Sequence, residues 1–318
     1  MSSNPTVRQL QRGRSVNVMH VVVTGSSGLI GTALVKKLSA DGHQVTRLVR
    51  RTPRPGEARW NPDDGTIEAA ALEGAHAVVH LAGAGIGDHR WTPEYKRELT
   101  DSRVRSTELL ATTLASLERK PTVLLSGSAI GFYGARGDED LDETNTAGTG
   151  FLADLCVEWE AAAAAASAAG IRVAFLRTGI VLSPTGGALA KQLPLFRFGL
   201  GGKFGNGRQW QSWIALDDQV AAIVHLLNAD VSGPVNLTAP NPVTQADFTK
   251  VLGQVLHRPT FMPIPSFGPK LLLGGELANA LLFTGQKVHP AVLGQSGYTF
   301  HHETLEHALR SLLGRPAA

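Results

Sequence analysis

The chain has 318 residues, 43% hydrophobic and 18% charged, with a net charge of +3 at pH 7. That is ample for a sizeable core in one large or two smaller domains, and without a long basic run it argues against dedicated nucleic-acid binding. The single cysteine, Cys156, excludes an intrachain disulfide and fits a reducing compartment such as the cytoplasm; no apolar stretch reaches the roughly 18 residues of a membrane helix.

Residues 1–17 are polar, hold Arg8, Arg12 and Arg14 and lack an apolar run, so they read as a disordered tail rather than a signal peptide. Val21, Val22 and Val23 then predict a buried strand, Thr24 to Gly28 a tight turn of small residues, and Leu29 to Leu38 a helix. Strand, glycine turn and helix are what a dinucleotide phosphate site requires. Gly25 permits the turn, Gly28 lets the backbone approach a pyrophosphate, and Gly31 lets the helix pack close to the strand. Free amides at the helix start face the anion, which makes Ser26, Ser27, Leu29 and Ile30 cofactor contacts together with the three glycines. The alternative is a glycine turn in an ordinary α/β protein.

Gln44 to Val49 reads as the second strand. At its end, about 20 residues past the glycines, an acid would favour NAD. Arg50 and Arg51 stand there instead, with Arg54 nearby, and guanidinium groups suit the 2′-phosphate of NADP(H). The alternative is a solvated charge cluster. Trp60 to Gly65 is turn-rich and expected at the surface, and Ala69 to Leu72 reads as a short helix. Ala77 to Ala82 is a strand ending at a glycine-rich loop, where ligands sit in open parallel sheets. Thr92 and Pro93 cap a helix to about Leu117. Val123 to Ser126 is a strand leading into SGSAIGFYG. Phe151 to Ala169 is a long alanine-rich helix, and Arg172 to Leu176 a strand.

This alternation predicts an α/β Rossmann-type doubly wound parallel sheet, with a smaller, mainly C-terminal substrate domain. The nucleotide domain spans 18–182, with 213–237 returning to it; 183–212 and 238–318 form the substrate or lid domain. In the second part, paired glycines at 186–187 and 199–202 flank a helix, Ala188 to Phe198, and suit a lid. Trp210 to Ala215 and Pro234 to Leu237 read as strands. Helices are expected from Asp217 to Asn228, Thr244 to Leu256, Leu271 to Phe283 and Thr304 to Leu313. His80, His89 and His225 have no metal-ligand spacing, and His301 and His302 fall on opposite faces of an extended chain, so no metal is expected.

The stretches TGSSGLIG, HLAGAGIGDHRWT, DSRVRST, SGSAIGFYG, GFLADLCVEWE, RTGIVLSP, GGALAKQLP, GRQWQSWIALDD and GPVNLTAPNPVT, with the last 50 or so residues, carry a family likeness. The chain resembles the epimerase-like group of atypical extended short-chain dehydrogenase/reductases, also called cell-division-inhibitor-like, which carries an appended C-terminal segment. The resemblance places Leu81, Ala82 and Gly83 along the cofactor ribose; Ser126, at the end of the neighbouring strand, is a further expected cofactor contact. It makes Ser128 the serine that hydrogen-bonds a substrate carbonyl or hydroxyl. It also implies a homodimer packed through the helices near 91–117 and 151–169.

The departures matter as much. The usual Tyr-x-x-x-Lys pair, which supplies the general acid/base and holds the ribose, falls on Leu152 and Cys156, and neither does that work. Two replacements are expected: Arg103 as the missing cation by the ribose, and Tyr133 as a phenol for acid/base work or for lining the pocket. Ile180 stands where nucleotide-sugar enzymes commonly hold Asn, which argues against a UDP-sugar. Arg177, Lys191, Arg208 and Gln209 are the expected polar pocket for a small substrate, with Trp91, Trp210 and Trp213 as its walls or, the commoner fate of tryptophan, packed in the core. The leading expectation is an NADP(H)-dependent oxidoreductase or epimerase-like enzyme. The rival is a regulatory or sensor protein that holds NADP(H) without turnover.

Overall fold

The computed structural model describes residues 18–261 and 263–316. The tail reading of 1–17 lies outside the described residues. The β-branched run extends as β1 (His20–Thr24), and the glycine turn hands the chain to α1 (Leu29–Ala40), which buries Leu34 and Leu38. After β2 (Gln44–Val49) the structure departs from the surface-turn expectation. Glu57–Asn61 is a strand, β3, and Trp60 is buried; only 62–65 turns, before β4 (Thr66–Ile67) doubles back. Ala58 and Trp60 alternate inward with period two, a signal hidden by the Asn, Pro, Asp and Gly beside it.

Next come β5 (Ala77–His80) and α2 (Pro93–Ser116), whose cap Thr92 accepts a hydrogen bond from the Tyr95 amide as expected. Strand β6 (Val123–Ala129) carries the serines beyond the expected end at Ser126, and β7 (Asp140–Leu141) follows. The expected long alanine helix is two helices, α3 (Phe151–Ala161) and α4 (Ala164–Ala168). The break lets Ala163 and Ala166 sink into the core. Then come β8 (Arg172–Thr178), β9 (Ile180–Leu182), α5 (Gly187–Arg197), β10 (Trp210–Gln211) and β11 (Trp213–Ala215). The last two were expected as one strand. They part at buried Ser212, whose hydroxyl donates to the Gln286 carbonyl and accepts from the Val288 amide, both at 2.8 Å.

The remainder is α6 (Leu216–Asn228), β12 (Gly233–Leu237), β13 (Val243–Thr244), α7 (Gln245–Leu256), α8 (Phe267–Leu273), α9 (Gly275–Ala278), β14 (Lys287–Val288), α10 (Ala291–Gln295) and α11 (Leu305–Leu312). The helix expected over Leu271–Phe283 is interrupted by Gly274, at φ +90°, where α8 ends.

Eight strands form one sheet in the order β12-β8-β6-β5-β1-β2-β3-β4, parallel except for β4. One face buries Val21, Val23, Leu34, Leu125, Ile223 and Leu226 under α1 and α6; the other buries Val22, Val78, Leu110, Leu114 and Leu124 under α2 and α4. A third core joins α5, α7 and α11 through Leu193, Phe196, Trp213, Phe248, Leu252 and Leu309. Buried Asp218 fastens the C-terminal segment to α6: its carboxylate accepts from the Tyr298 hydroxyl and the His301 and His302 amides at 2.8–2.9 Å. The chain runs outward from β1 in one direction through β2 and β3, and in the other through β5, β6, β8 and β12. Between β1 and β5 the order reverses, and a crevice opens at the strands' carboxyl ends.

Candidate active site

The glycine turn borders this crevice, and each glycine meets a different demand. Gly25 has φ +64°, and a Cβ there would lie 2.5 Å from the Leu81 carbonyl carbon, where β1 and β5 diverge. A Cβ on Gly31 would come within 2.2 Å of the Gly25 carbonyl oxygen, so only glycine lets α1 start this close to the turn. Gly28 is exposed, and the nearest atom to a Cβ there is 3.4 Å away. Its bareness leaves room for an incoming ligand rather than for the protein. No side chain caps α1, nor α5, whose first residues Gly187 and Ala188 line the same cleft. Two helix starts with free amides thus border one space, a suitable field for a diphosphate.

That cleft holds about 390 Å³ between Gly25, Gly28, Leu29, Ile30 and Leu81 on one side, Gly127, Ser128 and Trp159 at its base, and Thr178, Ile180, Val181 and Ala188 opposite. Gly186 packs on Leu29: a Cβ there would lie 3.0 Å from its Cδ1. The 186–187 glycines therefore close over the start of α1. Ser126 stands two residues before Ser128 on β6, fully buried beside His80 and Phe175 in register; it does not line the cleft as a cofactor contact would, and its hydroxyl has no hydrogen-bond partner among the described residues.

Beneath the turn lies a network that sequence reasoning did not assign. Thr24 Oγ1 accepts from the Leu81 and Ala82 amides at 3.1 and 3.2 Å, so its own proton goes to His80 Nδ1 at 2.7 Å. His80 therefore carries its proton on Nε2, which faces Thr107 Oγ1 at 3.0 Å and Ser106 Oγ at 3.2 Å. Trp159 Nε1 donates to the same Thr107 oxygen at 3.0 Å. Burial pushes the His80 pKa down to about 3, so the ring is a neutral link between β1, β5, α2 and α3.

At the other end of the cleft, Ser128 is held in a way the sequence did not announce. Its hydroxyl donates to Glu160 Oε1 at 2.6 Å. Arg177 grips the same carboxylate through Nε at 2.8 Å and Nη2 at 2.9 Å. Leu152, Cys156 and Glu160 follow at steps of four on α3 and face the chain from Ser128 to Gly131: Leu152 packs against Gly131, and Cys156 Sγ lies 3.6 Å from the Ala129 carbonyl. Burial raises the Cys156 pKa to about 11, which marks an inert thiol. The helical step of four from Cys156 was the available signal for Glu160.

Three expectations are corrected here. Tyr133 is fully buried, donates to Asn236 Oδ1 at 2.8 Å, accepts from Arg177 Nη1 at 3.1 Å, and has its pKa raised by burial. It braces Arg177 and does not reach the cleft. Arg177 is 3% exposed and spent on Glu160 and Tyr133, so it positions rather than binds substrate. Lys191 and Arg208 are exposed and Gln209 Nε2 is tied to the Phe204 and Leu282 carbonyls, and none of the three lines the cleft. Of the expected walls, Trp213 is fully buried with its indole on the Asn241 carbonyl, Trp210 donates to Asp138, and Trp91 donates to the Ile86 carbonyl.

Arg103 is half-buried. Its guanidinium lies 5.1 Å over the Trp159 ring and 3.3 Å from where a Gly83 Cβ would sit, and it donates to the Leu99 and Ala84 carbonyls at 3.0 Å. Among the described residues it has no carboxylate partner, and burial lowers its pKa. The cation thus stands at the loop where the ribose is expected. At the end of β2 Arg51 forms a fork with Glu57, both contacts at 2.7 Å, while exposed Arg50 has no ion-pair partner among the described residues. Asp217, Asp218 and His302 also stand together, and their polar atoms are mutually engaged: His302 Nε2 meets Asp217 at 2.9 Å, and both Asp218 oxygens already accept from amides of the C-terminal segment.

Residues 21–238 match the NAD dependent epimerase/dehydratase family, and residues 264–312 match a domain of unknown function, DUF1731. An epimerase family protein of Mycobacterium leprae is 44% identical over 299 residues, 93% of this chain and 96% of that one. The human epimerase family protein SDR39U1 is 35% identical over 299 residues, covering 93% and 100%. The crystal structure of the human protein with NADPH superposes with a TM-score of 0.85 at 33% identity, over 93% of this chain and 99% of that one. A nucleoside-diphosphate sugar epimerase from Corynebacterium glutamicum gives 0.76 at 40% identity, over 93% of this chain and 58% of that one.

Proposed function

Because the chain belongs to the NAD dependent epimerase/dehydratase family, we propose that it is an NADP(H)-dependent enzyme that oxidises, reduces or epimerises a small alcohol or carbonyl compound at Ser128. One observation carries the reading: a single cleft runs from the two uncapped helix starts to Ser128, and Ser128 is held by a partly buried Glu160 that pairs with buried Arg177. The human relative's NADPH and the Arg50–Arg51 strand end support the phosphorylated cofactor. NADP(H), when bound, supplies or accepts the hydride. Because Ser128 donates to a carboxylate, it turns lone pairs to the cleft and accepts from a substrate hydroxyl. The oxidative direction then needs no tyrosine: the substrate proton passes to Ser128 Oγ as the serine proton passes to Glu160 Oε1. Arg103 supplies a positive charge near the ribose in place of the missing lysine.

One observation favours a second reading, binding without turnover. Among the described residues, no side chain lining the cleft keeps an O–H or N–H free: Ser128 donates to Glu160, Thr178 to the Leu176 carbonyl and Trp159 to Thr107. The test is titration of cofactor-stripped protein with NADPH, NADP, NADH and NAD, followed by a panel of alcohols and carbonyls read by nicotinamide absorbance. Tight NADP(H) binding and turnover that Ser128→Ala abolishes at unchanged NADPH affinity supports the enzyme. Tight binding with no turnover supports the second reading, and binding of none of the four overturns both.

A further inference from the structure

The lobe built from residues 184–216 and 248–275 has an unusual surface. These two segments contain seven Lys and Arg residues and no Asp or Glu. None of the seven, among them Lys191, Arg197, Lys203, Arg258 and Lys270, forms an ion pair among the described residues, whereas Arg47, Arg51, Lys96, Arg136, Arg177 and Lys287 elsewhere all do. The same segments carry most of the large apolar side chains left in water: Phe198 and Phe261 are each 81% exposed, Leu271 77%, and Phe267 and Leu272 73%. The two segments are joined. Arg258 Nε donates to the Arg197 carbonyl at 2.8 Å, Pro259 packs beside Gly199, and Phe204 bridges Ile264.

We propose that this lobe docks on the surface of a negatively charged lipid bilayer, with the phenylalanines and leucines entering the headgroup boundary and the unpaired cations meeting lipid phosphates. The sequence alone points to no membrane partner, and docking on a bilayer surface departs from that reading; it invokes no spanning segment, since none of the described helices is long and apolar enough to cross. Lying on a surface requires only an apolar face ringed by cations. Side chains this exposed protrude rather than floor a groove. A bilayer accepts them without a shaped pocket, which a protein partner would have to provide. A second copy is disfavoured by charge: a symmetric contact would set the seven cations of these segments against seven, with acids only at the segment borders, Asp217, Asp247 and Glu276.

The test is co-sedimentation of the full chain with vesicles of phosphatidylcholine alone or mixed with phosphatidylglycerol, beside sedimentation equilibrium without lipid. The expected result is binding to the mixed vesicles only, weakened by about an order of magnitude on going to high salt. Phe198→Glu with Phe261→Glu, and separately Lys191→Glu with Arg197→Glu, should abolish it. These positions are exposed, so unchanged Tm and NADPH affinity show that the variants fold. Equal binding to neutral vesicles, or binding to neither, overturns the proposal. So does a dimer in solution that the same variants dissociate, which would give the face to a second copy.

Discussion

Gly28 and Gly31 stand three residues apart on one turn and should respond oppositely to a single methyl group. Gly31→Ala drives a Cβ into the Gly25 carbonyl, a backbone atom with nowhere to go, so we expect a loss of about 2 kcal/mol or more with cofactor binding lost alongside. Gly28→Ala leaves the fold intact, because its Cβ meets only the Gly25 carbonyl oxygen at 3.4 Å, an ordinary contact, yet it should weaken NADPH binding at least about tenfold by occupying the ligand's approach. Thermal melts and NADPH titrations on the two variants separate these outcomes, and a Gly28→Ala that binds normally would move the diphosphate elsewhere. At the far end, Arg50→Ala should lower NADPH affinity roughly tenfold without changing NADH affinity, and Arg51→Ala less, because Glu57 already holds that guanidinium. Equal effects on both cofactors would reduce Arg50 to a solvated charge. The glycines were legible because their constraint is local. The jobs of Glu160 and Tyr133 were not, because contacts far along the chain decide them: Arg177 for the first, Asn236 for the second.

The same division separates the elements. Caps are local chemistry, and Thr92 and Thr244 do what their spacing implies, accepting from the Tyr95 and Asp247 amides at 3.1 Å. Replacing either with Ala should cost about 1 kcal/mol in urea unfolding at unchanged m-value, and a cost near zero would mean that packing alone fixes the helix start. The strand at Glu57–Asn61 and the break between α3 and α4 escaped sequence reading for a shared reason. In each, burial against a distant element overrode composition: Trp60 is enclosed by the other elements of its core, and Ala163 by the core beneath α2. Gly274 could have been read as a stop, since glycine in the left-handed region is a common helix end, but the leucines around it outweighed it in the apolar pattern.

At the scale of the molecule, the fold's weak point on acidification is the neutral ring at its centre. An unfolded His80 titrates near its ordinary 6.5, and burial pushes the folded value down to about 3. Above pH 6.5 neither state is protonated there, and the fold bears no penalty. Between 6.5 and 3 the unfolded chain takes up a proton that the folded chain refuses, so stability must fall with falling pH, by about 1.4 kcal/mol per unit from this residue alone. His80→Gln removes the titration but also disturbs the bonds to Thr24 and Thr107, so it should begin about 1–3 kcal/mol less stable at pH 7. It should then lose stability more gently, and the two curves should converge as the pH drops. Urea unfolding at pH 7, 6 and 5 reads the slopes, and parallel curves would show that another group drives the acid response. The consequence reaches the cleft because Thr24 both orders the Leu81 and Ala82 amides and holds the ring. A proton forced onto His80 Nδ1 would take the position of the Thr24 hydroxyl proton and turn it away. Because the folded ring takes up that proton only near pH 3, NADPH affinity of the still-folded protein should stay unchanged through this residue between pH 6.5 and about 4, and a decline there without unfolding would show that another group loosens the cofactor turn.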